Sequence, residues 1–347
     1  MNKEKILEKL KDISYPKLDK NIVELKTVDL IEADKKSLKI TLCVLNKEAF
    51  EEIQKNIKNL FKDDFKNIEI KTKIQNSKKS VNYGTTFNPN NKAPYAKKVI
   101  AVTSGKGGVG KSTVSANISV ALAQKGYKVG LLDADVYGPN IPRMFNVQNE
   151  KLRWNEKDKI VPSENFGIKL MSVALTTPSE DTPLVWRSSV AISALIQFLE
   201  DVDWGELDFL VIDMPPGTGD VQLTMAQELP ISTAVLVTTP QNVACDDVSR
   251  AIMMFKETKV PIGGIIENMS YFVAPDTKKV YHIFGKGGAE ILSQKYGIKI
   301  LGKIPLSIQI RELCDEGKPP VALANEDIKK LYQEITGELL KKIKNIS

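Results

Sequence analysis

Gly105-Lys106-Gly107-Gly108-Val109-Gly110-Lys111-Ser112-Thr113 is the stretch of this 347-residue chain whose residue types and spacing carry the clearest chemistry. In a Gly-x-x-x-x-Gly-Lys-Ser pattern, backbone N–H groups cradle phosphates, the lysine meets the β and γ oxygens, and the hydroxyl holds Mg²⁺. Such a loop must leave a strand and enter a helix. Val99-Ile100-Ala101-Val102 is the apolar run before it, and Val114, Ile118, Ala121 and Leu122 after it fall on one helical face. The metal also needs a carboxylate at the end of a neighbouring strand. Phe209-Leu210-Val211-Ile212-Asp213 supplies one, so Ser112 and Asp213 are the expected Mg²⁺ holders. The Gly/Pro turn that follows, Met214-Pro215-Pro216-Gly217-Thr218-Gly219-Asp220, suits sensing of a γ-phosphate. Asp133 and Asp135 stand at the end of another apolar run, Val129-Gly130-Leu131-Leu132. Hydrolysis needs a group that orients or deprotonates the attacking water; either acid suits that role, and either also suits capping of the next turn.

These side chains need elements to hold them. Val99 to Val102, Val129 to Leu132, Phe209 to Ile212, Ala234 to Val237, Ile262 to Ile266 and Lys299 to Ile304 are short apolar runs separated by helical patterns. They predict an α/β domain with a doubly wound, mostly parallel sheet covered on both faces, its ligand lying beyond the carboxyl ends of the strands. That domain is placed at 97–347. Residues 1–76 read as a small α/β module ordered helix, strand, strand, helix, strand. Ile6, Leu7, Leu10 and Ile13 mark its first helix, Leu38, Ile40, Leu42 and Val44 alternate as a half-buried strand, and Phe50, Ile53, Ile57 and Leu60 mark the second helix, ahead of Ile68-Glu69-Ile70. From 77 to 96 periodicity gives way to Asn, Lys, Ser, Gly and Pro, the composition of a flexible linker.

The net charge of +6 is a property of one segment, residues 71–98. Lys71, Lys73, Lys78, Lys79, Lys92, Lys97 and Lys98 occupy a stretch with no acid, and without those seven the chain stands at about −1. A solvated linker explains this better than a nucleic-acid arm, so no nucleic-acid partner is expected. No apolar stretch approaches the roughly 20 residues that span a bilayer, and the N-terminus resembles neither a signal nor a transit peptide. Three scattered cysteines, Cys43, Cys245 and Cys314, form no disulfide framework and fit a reducing compartment. A cytoplasmic protein is expected.

Lys106 makes the loop resemble the deviant Walker A sequence of the MinD, ParA and nitrogenase iron-protein class. That resemblance implies a homodimer in which Lys106 of one subunit reaches the phosphates held by the other, and with it a catalytic set of Lys106, Lys111 and Asp135. Asp133-Ala134-Asp135-Val136-Tyr137-Gly138-Pro139-Asn140, the turn after Asp213, Thr239-Pro240-Gln241, Glu267-Asn268-Met269-Ser270 and Ile283-Phe284-Gly285-Lys286-Gly287-Gly288-Ala289 narrow the likeness. Together they resemble the Mrp/ApbC family of iron-sulfur cluster carriers over about 99 to 320, and the N-terminal module resembles the small domain that precedes the ATPase in bacterial members. The resemblance implies a slow Mg²⁺-dependent ATPase that binds or transfers clusters to apoproteins. It also implies that Asn268 contacts adenine and that Asp135 lies in the first switch region.

Departures from the family pattern bear on the cargo. Members that carry a cluster place Cys-x-x-Cys a few residues after Asn-Met-Ser; here Ala274 and Thr277 stand at those positions, and neither ligates iron as a thiolate does. Tyr15-Pro16 stands where the family tends to have Asp-Pro, and Trp186-Arg187-Ser188-Ser189-Val190 replaces Trp-Arg-Gly-Pro-Met. Arg187 is open to two readings, a contact to nucleotide or partner and a surface or core-capping role. Cys245 and Cys314 read as ordinary buried small residues, and His282, a single imidazole, makes no cluster site. Two other functions remain to be weighed: a nucleotide-gated carrier that binds no cluster itself, and a positioning ATPase. For the latter, Ile328, Leu331, Ile335, Leu339 and Ile343 with Lys341, Lys342 and Lys344 would meet anionic lipid, unless that helix packs on the core.

Overall fold

The structure, a computed structural model of the chain, describes residues 3–14, 21–24, 27–33, 36–44, 47–74, 92–176 and 188–344. The chain divides into two compact units, Met1–Thr86 and Phe87–Ser347.

The first unit runs α1 (Lys3–Leu10), β1 (Val28–Ala33), β2 (Ser37–Val44), α2 (Lys47–Phe61) and β3 (Asn67–Ile74). β2 is central, antiparallel to β1 and parallel to β3. Leu38, Ile40 and Leu42 turn one face of β2 inward against Ile53, Ile57 and Phe61 of α2, as the alternating and helical spacings require. Tyr15 and Pro16 lie outside the described residues.

The second unit continues with β4 (Ala96–Ser104), α3 (Lys111–Gln124), β5 (Val129–Asp133), α4 (Ile141–Met144), β6 (Arg153–Trp154), β7 (Ile160–Val161), β8 (Ser163–Asn165) and β9 (Ile168–Ser172). It goes on through α5 (Ser188–Asp201), β10 (Leu207–Asp213), α6 (Asp220–Glu228), β11 (Thr233–Thr238), α7 (Asn242–Glu257) and β12 (Ile262–Glu267). It ends with β13 (Phe272–Val273), β14 (Val280–Tyr281), α8 (Gly288–Tyr296), β15 (Ile300–Lys303), α9 (Ile308–Asp315), α10 (Pro320–Leu323) and α11 (Glu326–Lys344). Eight strands pair in the order β15-β12-β11-β4-β10-β5-β9-β8, all parallel except the edge strand β8. All six apolar runs are strands of this sheet. β8 and β9 were not anticipated, and they extend it beyond β5. Their polar positions, Glu164, Asn165 and Lys169, break the continuous apolar run that marks a doubly covered strand.

Burial all round explains the helix behind the phosphate loop. α3 buries polar as well as apolar residues, and its polar ones are satisfied: Ser119 donates to the Ser115 carbonyl (2.8 Å), and Asn117 Oδ1 accepts the N–H of Val321 at the start of α10 (2.7 Å). α11 buries Ile328, Tyr332, Ile335, Leu339 and Ile343 on the sheet, approaching so closely that a Cβ on Gly302 would fall 2.4 Å from Ile335. The apolar face weighed for lipid is therefore spent on the core. Among the described residues no helix is long and apolar enough to cross a membrane.

Of the expected linker, residues 77–91 lie outside the described residues. Residues 92–96 pack on the second unit instead of linking: Lys92 pairs with Glu228 at 2.7 Å, Ala93 is buried, and the Tyr95 ring stacks on Trp204. Composition hides this, because one aromatic and one small apolar residue anchor the segment without any period.

Candidate functional site

β4, β5 and β10 end side by side, and the pairing registers place Asp213 opposite both Val102 of β4 and Asp133 of β5. The loop from β4 to α3 rises over these ends. Gly110 precedes the helix at φ +85°, in the left-handed region, and a Cβ there would come within 2.1 Å of Asn268 Nδ2. Only glycine lets the loop close on Asn268, whose amide donates to the Val109 carbonyl at 2.8 Å. No side chain caps α3 and no acid stands in its first turn, so its leading N–H groups remain for an anion. Above Gly107 and Gly108 a side chain would meet nothing within 4 Å.

Inside the loop, Lys111 is 6% exposed, with its ammonium 2.8 Å from Asp213 Oδ2 and 3.4 Å from Asp135 Oδ2. Burial works against its charge, but Asp213 and then Asp135 outweigh burial and raise its pKa. The Asp213 carboxylate, fully buried, accepts a hydrogen bond from Ser112 on Oδ2 and from Ser115 on Oδ1, both at 2.6 Å. Asp133 is also fully buried. It accepts from the backbone N–H of Asp135 and of Ile141, both at 3.2 Å, and from the Ser172 hydroxyl at 3.0 Å. It caps the turn. Burial first, then the Asp213 charge, push its pKa up to about 8. The Asp135 side chain faces Lys111 and also accepts from the backbone N–H of Gly138 in the same turn. Its pKa is raised by burial, against the opposing pull of Lys111, which suits a group that takes a proton from water.

The turn after Asp213 folds back on the loop's own strand, Gly217 N–H donating to the Ser104 carbonyl at 2.8 Å. Lys106 does not join the Lys111 group; its ammonium donates to Gln241 Oε1 at 3.3 Å. Thus Gly105 to Thr113, Asp133, Asp135, Asp213 and Asn268 come together, and Lys106 lies on the Thr239-Pro240-Gln241 turn. Sequence reasoning missed Ser115 and Ser172. Ser115 was findable, standing three residues after Ser112 on the same helix face, whereas Ser172 belongs to the strand that was not anticipated.

Residues 95–340 match the ParA family described as NUBPL iron-transfer P-loop NTPase. The chain belongs to this family. An iron-sulfur cluster carrier protein of Aquifex aeolicus is 53% identical over 230 residues, 66% of this chain; the match spans 63% of that relative, just under two thirds of its length. An iron-sulfur cluster carrier protein of Helicobacter pylori is 40% identical over 98% of this chain and 92% of its own, so the likeness extends through the N-terminal unit. The solved structure of a nucleotide-binding protein from Archaeoglobus fulgidus in complex with ADP has a TM-score of 0.61 at 37% identity, covering 70% of this chain and 94% of that one. The resemblance to Mrp/ApbC carriers stands on these findings.

Ala274 and Thr277 lie on a turn: Ala274 follows β13, and Thr277 bonds Asp276 ahead of β14. His282 Nδ1 sits 3.3 Å from the Ser270 carbonyl. Cys245 is buried with its sulfur 3.7 Å from the Thr239 carbonyl, and burial raises its pKa. Cys314 is half-buried beside Thr113, its thiol pushed up to about 11 by burial. The Cys43 side chain and Arg187 lie outside the described residues. Among the described residues no group of three or more His, Cys, Asp and Glu side chains is arranged to hold a metal ion on its own.

Proposed function

We propose that this chain is a Mg²⁺-dependent ATPase that works as a homodimer in passing iron-sulfur clusters to apoproteins in the cytoplasm. The observation that carries the ATPase reading is the Lys111 ammonium held between Asp213 and Asp135 at the open end of the sheet. One ammonium between Asp135 and Asp213 leaves a surplus of negative charge, and the Ser112 and Asp213 oxygens are the hard donors that Mg²⁺ takes. These two would hold the ion, whose chemistry there is to offset charge on the phosphates. Lys111 exchanges its carboxylates for the β and γ oxygens, the backbone from Gly105 to Thr113 cradles the phosphates, and Asn268 meets the adenine. Asp135, held at its backbone by Asp133, orients and deprotonates the attacking water. Lys106 leaves Gln241 for the partner subunit's nucleotide.

The family and the names of its relatives support the cargo. With Ala274 and Thr277 in place of cysteines, we place the cluster ligands on the acceptor or another assembly protein, the ATPase cycle gating the handover. Two measurements on the full chain test the two halves. Phosphate release by wild type no faster than by Asp135→Ala sinks the ATPase. Anaerobic incubation with iron, sulfide and an apo-enzyme acceptor, with neither visible absorption on this chain nor acceptor activation, sinks the transfer role alone.

A further inference from the structure

We propose that Ser115, which lies outside the phosphate-loop pattern, is a positioning residue of the Mg²⁺-holding pair; this rests on the Mg²⁺-dependent reading above. Ser112 and Ser115 stand three apart on α3 and so share a face. From that face they grip one carboxylate by its two oxygens, Ser112 on Oδ2 and Ser115 on Oδ1, each at 2.6 Å. Ser115 has one proton and a second acceptor within reach, the Lys111 carbonyl at 3.1 Å. The shorter contact to the charged oxygen is the stronger. Ser115 is fully buried, so bulk water does not compete for the bond.

The backbone around Asp213 is already fixed, its carbonyl accepting from Ala134 N–H and the next N–H donating to the Val102 carbonyl, both at 2.9 Å. What remains free is rotation of the side chain. Ser112 and Lys111 restrain it at Oδ2, and Ser115 restrains it at Oδ1, which keeps Oδ2 turned toward them. A metal-holding carboxylate that is already aimed needs no reordering when the ion arrives, so fastening it strengthens metal affinity without touching the phosphates.

The test uses the full chain, a fluorescent ADP analogue, and titrations with Mg²⁺ or in EDTA. Ser115→Ala should raise the Mg²⁺ concentration that half-maximally tightens ADP binding by about tenfold, the worth of one hydrogen bond to a charged group. Affinity in EDTA should hold within about twofold, and Ser115→Thr should restore the wild-type midpoint. Should alanine not fold, Ser115→Cys, which keeps the volume and weakens the donor, is read in the same way. An unshifted Mg²⁺ midpoint, or an equal loss of affinity in EDTA, overturns the proposal for Ser115. Wild-type binding indifferent to Mg²⁺ overturns the underlying reading as well.

Discussion

Lys111→Ala should damage the fold before it reports on nucleotide. The ammonium lies 2.8 Å from Asp213 and 3.4 Å from Asp135 and is 6% exposed, against carboxylates that are fully or mostly buried. Removing one partner of a buried pair leaves an uncompensated charge at a cost of about 3–5 kcal/mol. In a unit of this size each kcal/mol moves the melting midpoint by about 2–4 °C, so a fall of about 6–20 °C is expected. The assay is thermal unfolding of the full chain in EDTA without nucleotide. Adding Asp213→Asn to Lys111→Ala should recover at least about half of the fall, because the stranded charge is then removed. If Lys111→Ala melts within about 2 °C of wild type, or the double variant melts below both single variants, the lysine is not balancing these carboxylates. Loss of ADP affinity in this variant is then interpretable only beside its melting curve.

On the proposed role of Asp135 toward water and not the phosphates, Asp135→Asn should cut phosphate release by about a hundredfold or more while ADP affinity stays within about threefold; equal losses in both would refute that division. Gly110→Ala should abolish calorimetrically measured ADP binding, because its Cβ falls 2.1 Å from Asn268 Nδ2 at a φ of +85°; wild-type affinity would show that the loop does not close on Asn268. The raised pKa of Asp133 gives a pH prediction. A carboxyl that binds its proton more tightly when folded stabilises the protein below its unfolded value, and that contribution is lost as pH rises from about 4 toward about 8. Wild type should therefore lose stability relative to Asp133→Asn in urea titrations between pH 5 and 8. Parallel pH profiles would mean that the buried acid is ionised throughout.

The parts of the site readable from sequence were those in which one local segment carries both the chemistry and its support. Gly105 to Thr113 lies between a strand and a helix that are themselves apolar and periodic, and Asp133 and Asp213 end runs whose continuous apolar character reports burial on both faces. The division of labour between Asp133 and Asp135 was not readable, because it depends on Ile141 and Ser172, eight and 39 residues beyond Asp133. The contact of Lys106 with Gln241 joins residues 135 apart. Ser115 shares a helix face with Ser112, which sequence spacing shows, but the carboxylate both grip comes in from β10, 98 residues away. The end of the linker was misjudged for a different reason: Lys92, Ala93 and Tyr95 pack individually, and a composition window averages them with their polar neighbours.

The hydrogen bond between Asn117 and Val321 sets a timetable for synthesis. Its partners are separated by 204 residues, so at about 5–20 residues per second the helix behind the nucleotide loop waits on the order of 10–40 s for the segment that covers it. Until then the apolar and hydroxyl-bearing back of α3 stays bare on the ribosome, while the chain of the N-terminal unit has long since emerged. The seating of that helix therefore waits on the chain as far as Val321.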